Sequence, residues 1–196
     1  MRGQALLFTI GVIAAVLFFG PCAWARAPED GFVAARKMTG RYFTVELAAG
    51  VEELFLVQSL NISAGDRVLA GENPGGAAFS LSSLADLVDA LFLWSSNVLD
   101  MRLLSYHGTI KVVRAPADLD AIYRRLYGAE PPGDKAYYAY DVNTVYVLAG
   151  NFTKEIVGHE VAHAIISNYF VVQPSMKVQE VLAGYIEYQL TKPSRP

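Results

Sequence analysis

The chain has 196 residues, 16 basic against 19 acidic side chains, a formal net charge of −3 and a single cysteine. An acidic balance without a cluster of Lys and Arg argues against nucleic acid as a partner, because phosphate backbones are held by grouped cations. The length suits one domain with a proper apolar core.

Residues 1–25 read as an export signal. Arg2 supplies the positive start, the apolar run from Leu6 to Phe19 is broken only by Thr9 and Gly11, and Ala23-Trp24-Ala25 offers small residues for cleavage. The run is about 14 residues, short of the ~20 that span a hydrocarbon core. Cleavage near Ala25 is therefore expected, leaving a periplasmic or secreted protein without a stable membrane anchor. It would also remove Cys22, so the mature chain could hold no disulfide, no thiolate-bound zinc and no cysteine nucleophile.

Residues 26–37 read as a loose mature N-terminus. Residues 41–47 are rich in β-branched and aromatic side chains and predict a strand, and Val51, Leu54, Phe55 and Gln58 follow helical spacing over about 50–60. The stretch 65–78, with Gly71, Pro74, Gly75 and Gly76, is loop-like and marks a boundary between a strand and helix region at 26–78 and the region 79–196, as parts of one domain or as two. Ser83 then opens a helix with Asp86 in its first turn and Leu84, Leu87, Val88, Leu91, Phe92, Ser95 and Leu99 on one stripe. A strand is predicted at 110–113. A helix follows at 116–127, with Pro116 at its start and Gly128 just past its end. Two further strands, 137–140 and 144–148, are joined by Asp141-Val142-Asn143 as a hairpin.

Thr153 is a sound N-cap, Glu155 suits the first turn, and Phe152 can staple over Val157, so the next helix runs from there to about Tyr169. Pro174-Ser175 opens a last helix with an apolar face of Val178, Val181, Leu182, Tyr185, Ile186 and Leu190, which Pro193 stops. The expected class is α+β, with a small mixed sheet packed on helices and a helical hairpin at the end.

The first limb of that hairpin carries His159-Glu160-Val161-Ala162-His163. Two histidines at i and i+4 leave the same helix face one turn apart and form a two-point clamp for a metal ion. Glu160 lies about 100° round the helix, outside the clamp yet able to reach a water on the metal, which is the position of a general base. A tetrahedral zinc ion with an open position needs one more protein ligand. Glu180 on the following helix is the candidate, with Ala183, Gly184 and, on the facing helix, Gly158 as small residues that allow close approach. Glu187 shares the face of Glu180 and reads as a solvated charge, with support of a ligand as the alternative, and His107 reads as structural.

These residues resemble a family. His159-Glu160-Val161-Ala162-His163-Ala164, followed by Gln179-Glu180-Val181-Leu182-Ala183-Gly184-Tyr185, is similar to the paired helices of gluzincin metallopeptidases, especially the small single-domain ones of the MA-like group. The resemblance covers roughly residues 137–190. It implies a zincin-like fold, one Zn²⁺ held by His159, His163 and Glu180, and Glu160 as base in hydrolysis of a peptide or protein substrate. It also implies that the strand before the motif helix, 144–148, borders the cleft and pairs with extended substrate. Two departures stand out. Ile166 and Tyr169 occupy the places of the metzincin glycine and third histidine, and Gly184 stands where thermolysin-like chains place a histidine-orienting Asp. The rival readings are a non-catalytic exported protein with a structural zinc and a partner-binding surface, and a zinc hydrolase of a non-peptide amide.

Overall fold

A computed structural model describes residues 29–62 and 83–192. The export segment, the 65–78 boundary and the Pro193 stop lie outside the described residues. Among the described residues the fold is α+β, with a small mixed sheet of five strands and five α-helices. In chain order these are β1 (Arg36–Thr39), β2 (Phe43–Leu47), α1 (Glu53–Leu60), α2 (Leu84–Leu99), β3 (Gly108–Val113), α3 (Pro116–Tyr127), β4 (Ala136–Ala139), β5 (Thr144–Leu148), α4 (Lys154–Tyr169) and α5 (Met176–Thr191). Among the described residues no helix is long and apolar enough to cross a membrane.

The sheet order is β1-β2-β3-β5-β4. The three central strands run parallel, Val45 opposite Ile110 and Ile110 opposite Val145, while β1 and β4 pair antiparallel at the two edges. Alternation along the strands splits the apolar residues between two layers. Phe43, Val45, Leu47, Ile110, Val112, Val145 and Val147 enter one core with α1, α2, α4 and α5, so the N-terminal strands and helix share that core with the C-terminal hairpin. Val113, Ala139 and Tyr146 face the other way, onto Leu119 and Ile122 of α3.

Residues 26–37 are not loose throughout. The exposed strand β1 begins at Arg36 and carries no apolar alternation to announce it, because an edge strand can be wet on both faces. Further upstream Asp30 is buried, and its carboxylate accepts from Lys111 Nζ at 2.5 Å, Tyr146 Oη at 2.5 Å and Phe32 N at 2.9 Å. Burial alone would raise the pKa of Asp30, but Lys111, Tyr146 and the Phe32 amide outweigh it and hold the carboxyl below its ordinary value. A depressed folded pKa gives stability that is present above the unfolded value, near 4, and is lost as pH falls through the folded one. Asp30→Asn is expected to cost about 2 kcal/mol at neutral pH and to flatten the decline in stability below about pH 4, as read by urea unfolding across pH.

The second anchor ties α2 to the start of β2. Asp89, 1 % exposed, accepts from the backbone amides of Arg41, Tyr42 and Phe43. Burial raises its pKa and the three amides pull it back, with a net rise. Gly40 is required at this point, since a Cβ there would run into the Asp89 carboxylate. Tyr42 stacks on Phe92 at 4.6 Å and Phe92 on Tyr106 at 5.0 Å, so the anchor sits beside an aromatic cluster.

The helix readings agree closely with the structure where local signals govern. Ser83 and Asp86 form a reciprocal capping box, Pro116 opens α3, Gly128 closes it in the left-handed region at φ 62°, and Thr153 Oγ1 accepts from Ile156 N at 3.4 Å. Phe152 and Val157 are both fully buried, as a staple requires. The apolar face expected for α5 is only half right. Ile186 and Leu190 are buried together with Ala183 and Gln179, whereas Val178, Val181 and Tyr185 point outward.

Candidate metal centre

The α4–α5 hairpin positions the motif. Gly158 lets the helices close, because a Cβ there would strike Leu190 and touch Ile186 across the interface. Ala183 is fully buried in the same contact. Gly184 takes no part in it and faces open space.

The geometry brings His159, His163 and Glu180 together as a possible metal-binding triad. The Nε2 atoms of His159 and His163 lie 3.2 Å apart, and each is 3.5 Å from a carboxylate oxygen of Glu180. Bonds of about 2.0–2.1 Å to a tetrahedral ion put neighbouring ligand atoms about 3.3–3.4 Å apart, so the two imidazole nitrogens are spaced as neighbours in such a shell, with the Glu180 carboxylate facing both. An N₂O donor set of two imidazoles and a carboxylate suits a borderline cation such as zinc.

Two residues hold the imidazoles in place. Glu187 Oε2 lies 3.2 Å from His159 Nδ1. A proton donated there leaves the lone pair on Nε2, where an ion would sit. Glu187 is therefore a partner of the site and not a merely solvated charge. It stands seven residues after Glu180, two helical turns along the same face and nearly a turn beyond the expected position at Gly184. Gln179, 8 % exposed, hydrogen-bonds the His163 side chain, and its own amide is fixed by donating to Pro174 O at 3.0 Å. No motif points to Gln179; only its place beside Glu180 could have raised it. Burial and the neighbouring His159 lower the pKa of His163, keeping it in the neutral form that a metal needs.

Glu160 is 9 % exposed, borders the same cleft as the triad and is not among the three ligand atoms. Burial pushes its pKa up to about 8, partly opposed by a hydrogen bond from the Tyr138 backbone amide, with Glu180, Asp134 and Glu187 adding to the rise. His107 is structural, as expected, bonding Thr44 Oγ1 and the Arg41 carbonyl, each at 3.0 Å. Two tyrosines just upstream of the motif helix, Tyr138 and Tyr146, have phenols committed to other partners. Tyr138 donates to Asn143 Oδ1 at 2.9 Å and accepts from Asn168 at 3.1 Å, and Tyr146 is spent on Asp30.

The cleft measures about 890 Å³ and runs from the triad across β4 to α3. Its edge strand is not the one anticipated. Strand β5, residues 144–148, is paired on both sides, by β3 and by β4, so it has no edge left for another chain. The free edge belongs to β4. Lys135 O accepts from Leu148 N, and antiparallel alternation then makes Tyr137 and Ala139 the residues bonded to β5, leaving the amides and carbonyls of Ala136 and Tyr138 turned to the cleft. The bond from Tyr138 N to Glu160 agrees with that direction.

Comparison with protein-family models, with curated proteins and with solved structures found no match to this chain.

Proposed function

We propose that this chain is an exported, zincin-like zinc metallopeptidase in which His159, His163 and Glu180 hold Zn²⁺ and Glu160 is the general base. The observation that carries the reading is the convergence of three side chains, His159 Nε2 and His163 Nε2 3.2 Å apart and facing Glu180 Oε2 and Oε1 respectively at 3.5 Å, with a buried carboxylate beside them that is not a ligand. A site built only to hold zinc has four protein ligands and no use for such a group, and three are grouped here among the described residues.

Bound zinc supplies Lewis acidity toward the scissile carbonyl and lowers the pKa of the attacking water. Glu160 takes a proton from that water as the O–C bond forms and delivers it to the amine as the C–N bond breaks. Glu187 and Gln179 keep the imidazoles oriented while this happens. The outward amide and carbonyl of Ala136 and the carbonyl of Tyr138 accept an extended peptide as a further strand, laying it across the triad.

The test is metal content and hydrolysis of the purified protein. One zinc per chain and cleavage of a peptide library that stops with chelation and returns with zinc are expected. A protein that holds no zinc overturns the site, and one that holds zinc but cleaves no peptide overturns the peptidase assignment.

A further inference from the structure

Beyond the triad, the far side of the cleft is a wall of tyrosines. Ala136 and Tyr138 of β4 face α4, and Tyr137 and Ala139 face α3. A peptide laid along the β4 edge alternates in the same way, so every second side chain falls on the α3 side. There the rings of Tyr123 and Tyr127 lie 4.7 Å apart and Tyr137 meets Tyr123 edge-on at 5.3 Å. All three line the cleft, and Tyr127 is 42 % exposed.

Acids border this platform. Asp141 lines the cleft and its charge, after burial, raises the pKa of Tyr127. Asp120 precedes Tyr123 by one turn of α3 and its charge reaches Tyr137. The nearby cations are directed elsewhere. Arg124 bonds Glu130 at 3.0 Å, and Arg125 packs over Gly31. Among the described residues lining the cleft, five carboxylates face one ammonium, that of Lys135. A dication in the triad would leave the cleft negative. Electron-rich ring faces under a negative potential attract an ammonium or guanidinium group.

We propose that the platform of Tyr123, Tyr127 and Tyr137, bordered by Asp120 and Asp141, is a subsite for a Lys or Arg side chain of an extended peptide. It deepens the peptidase reading by naming the substrate class, and it rests on that reading for the direction in which the peptide lies. Basic peptides are accordingly the substrates, and acidic ones are rejected.

The test compares two labelled alanine-rich decapeptides, one with Lys and one with Glu at every second position. Binding to the zinc-loaded full chain carrying Glu160→Gln is followed by fluorescence anisotropy, and cleavage by the zinc-loaded wild type is followed separately. The Lys peptide is expected to bind at least about tenfold tighter. Adding Asp120→Asn with Asp141→Asn, or Tyr127→Ala alone, should cut the preference to about twofold, with zinc content reporting that each variant still folds. Equal binding of the two peptides overturns the subsite, as does a preference that survives in both variants, which would belong to the general field of the cleft. Preference of the Glu160→Gln chain for the Lys peptide, with a wild type that cleaves neither, supports the subsite and overturns the peptidase reading. Cleavage of both at equal kcat/KM overturns the subsite alone.

Discussion

Glu160→Gln is expected to keep one zinc per chain and to lose about three to four orders of magnitude in kcat/KM for peptide hydrolysis. The two side chains have nearly the same shape, and the amide oxygen of Gln can still accept the Tyr138 N–H that Glu160 accepts. What disappears is a group able to take and return a proton. The triad is untouched, because Glu160 is not one of its ligand atoms. Glu180→Ala is the contrast. It removes one of three protein ligands, so zinc affinity should fall by at least about a hundredfold, with activity recovering in part at high zinc. Metal analysis alongside steady-state kinetics separates the two cases. Loss of zinc from Glu160→Gln would move that residue into the ligand set, and unchanged hydrolysis would remove it from the chemistry.

Asp89→Ala should lower the stability of the fold by about 3–4 kcal/mol. The carboxylate accepts three amides that enter β2, and truncation leaves them without the partner they have in the folded chain. A buried hydrogen-bonding group stranded in this way costs about 1–3 kcal/mol, and bonds to a charged acceptor stand at the upper end. The vacated space beside Tyr42 and Phe92 adds a cavity term. Asp89→Asn keeps one acceptor oxygen and should cost less than half as much. Urea unfolding of the three proteins measures the series, and equal stability of Asp89→Ala and wild type would show that the carboxylate is not the anchor of β2.

The candidate site was legible to the extent that it is local. His159 and His163 share a helix face because of the helical period, and Thr153, Phe152 and Pro174 mark where the two helices begin, while Glu180 on the second was singled out by the family resemblance. Glu187 was harder to see. Its distance along the chain from His159 says nothing of their 3.2 Å contact, which depends on the crossing of α4 and α5. Val178, Val181 and Tyr185 misled for the same reason. Helical spacing identifies apolar stripes, but on a helix with apolar residues on several sides it does not tell which stripe meets the neighbour.

The sequence by itself determined the secondary elements with strong caps or periodicity and the shared helix face of His159 and His163, because each depends on spacings of a few residues. Tertiary structure decided the rest. Both β4 and β5 read as strands, and only pairing over long separations placed β5 inside the sheet and left β4 with the free edge that borders the triad. The same pairing turned Tyr137 toward α3 and Tyr138 toward Glu160. The side of a strand that meets solvent, substrate or core follows from its neighbours in the sheet, and those neighbours are far away in the chain.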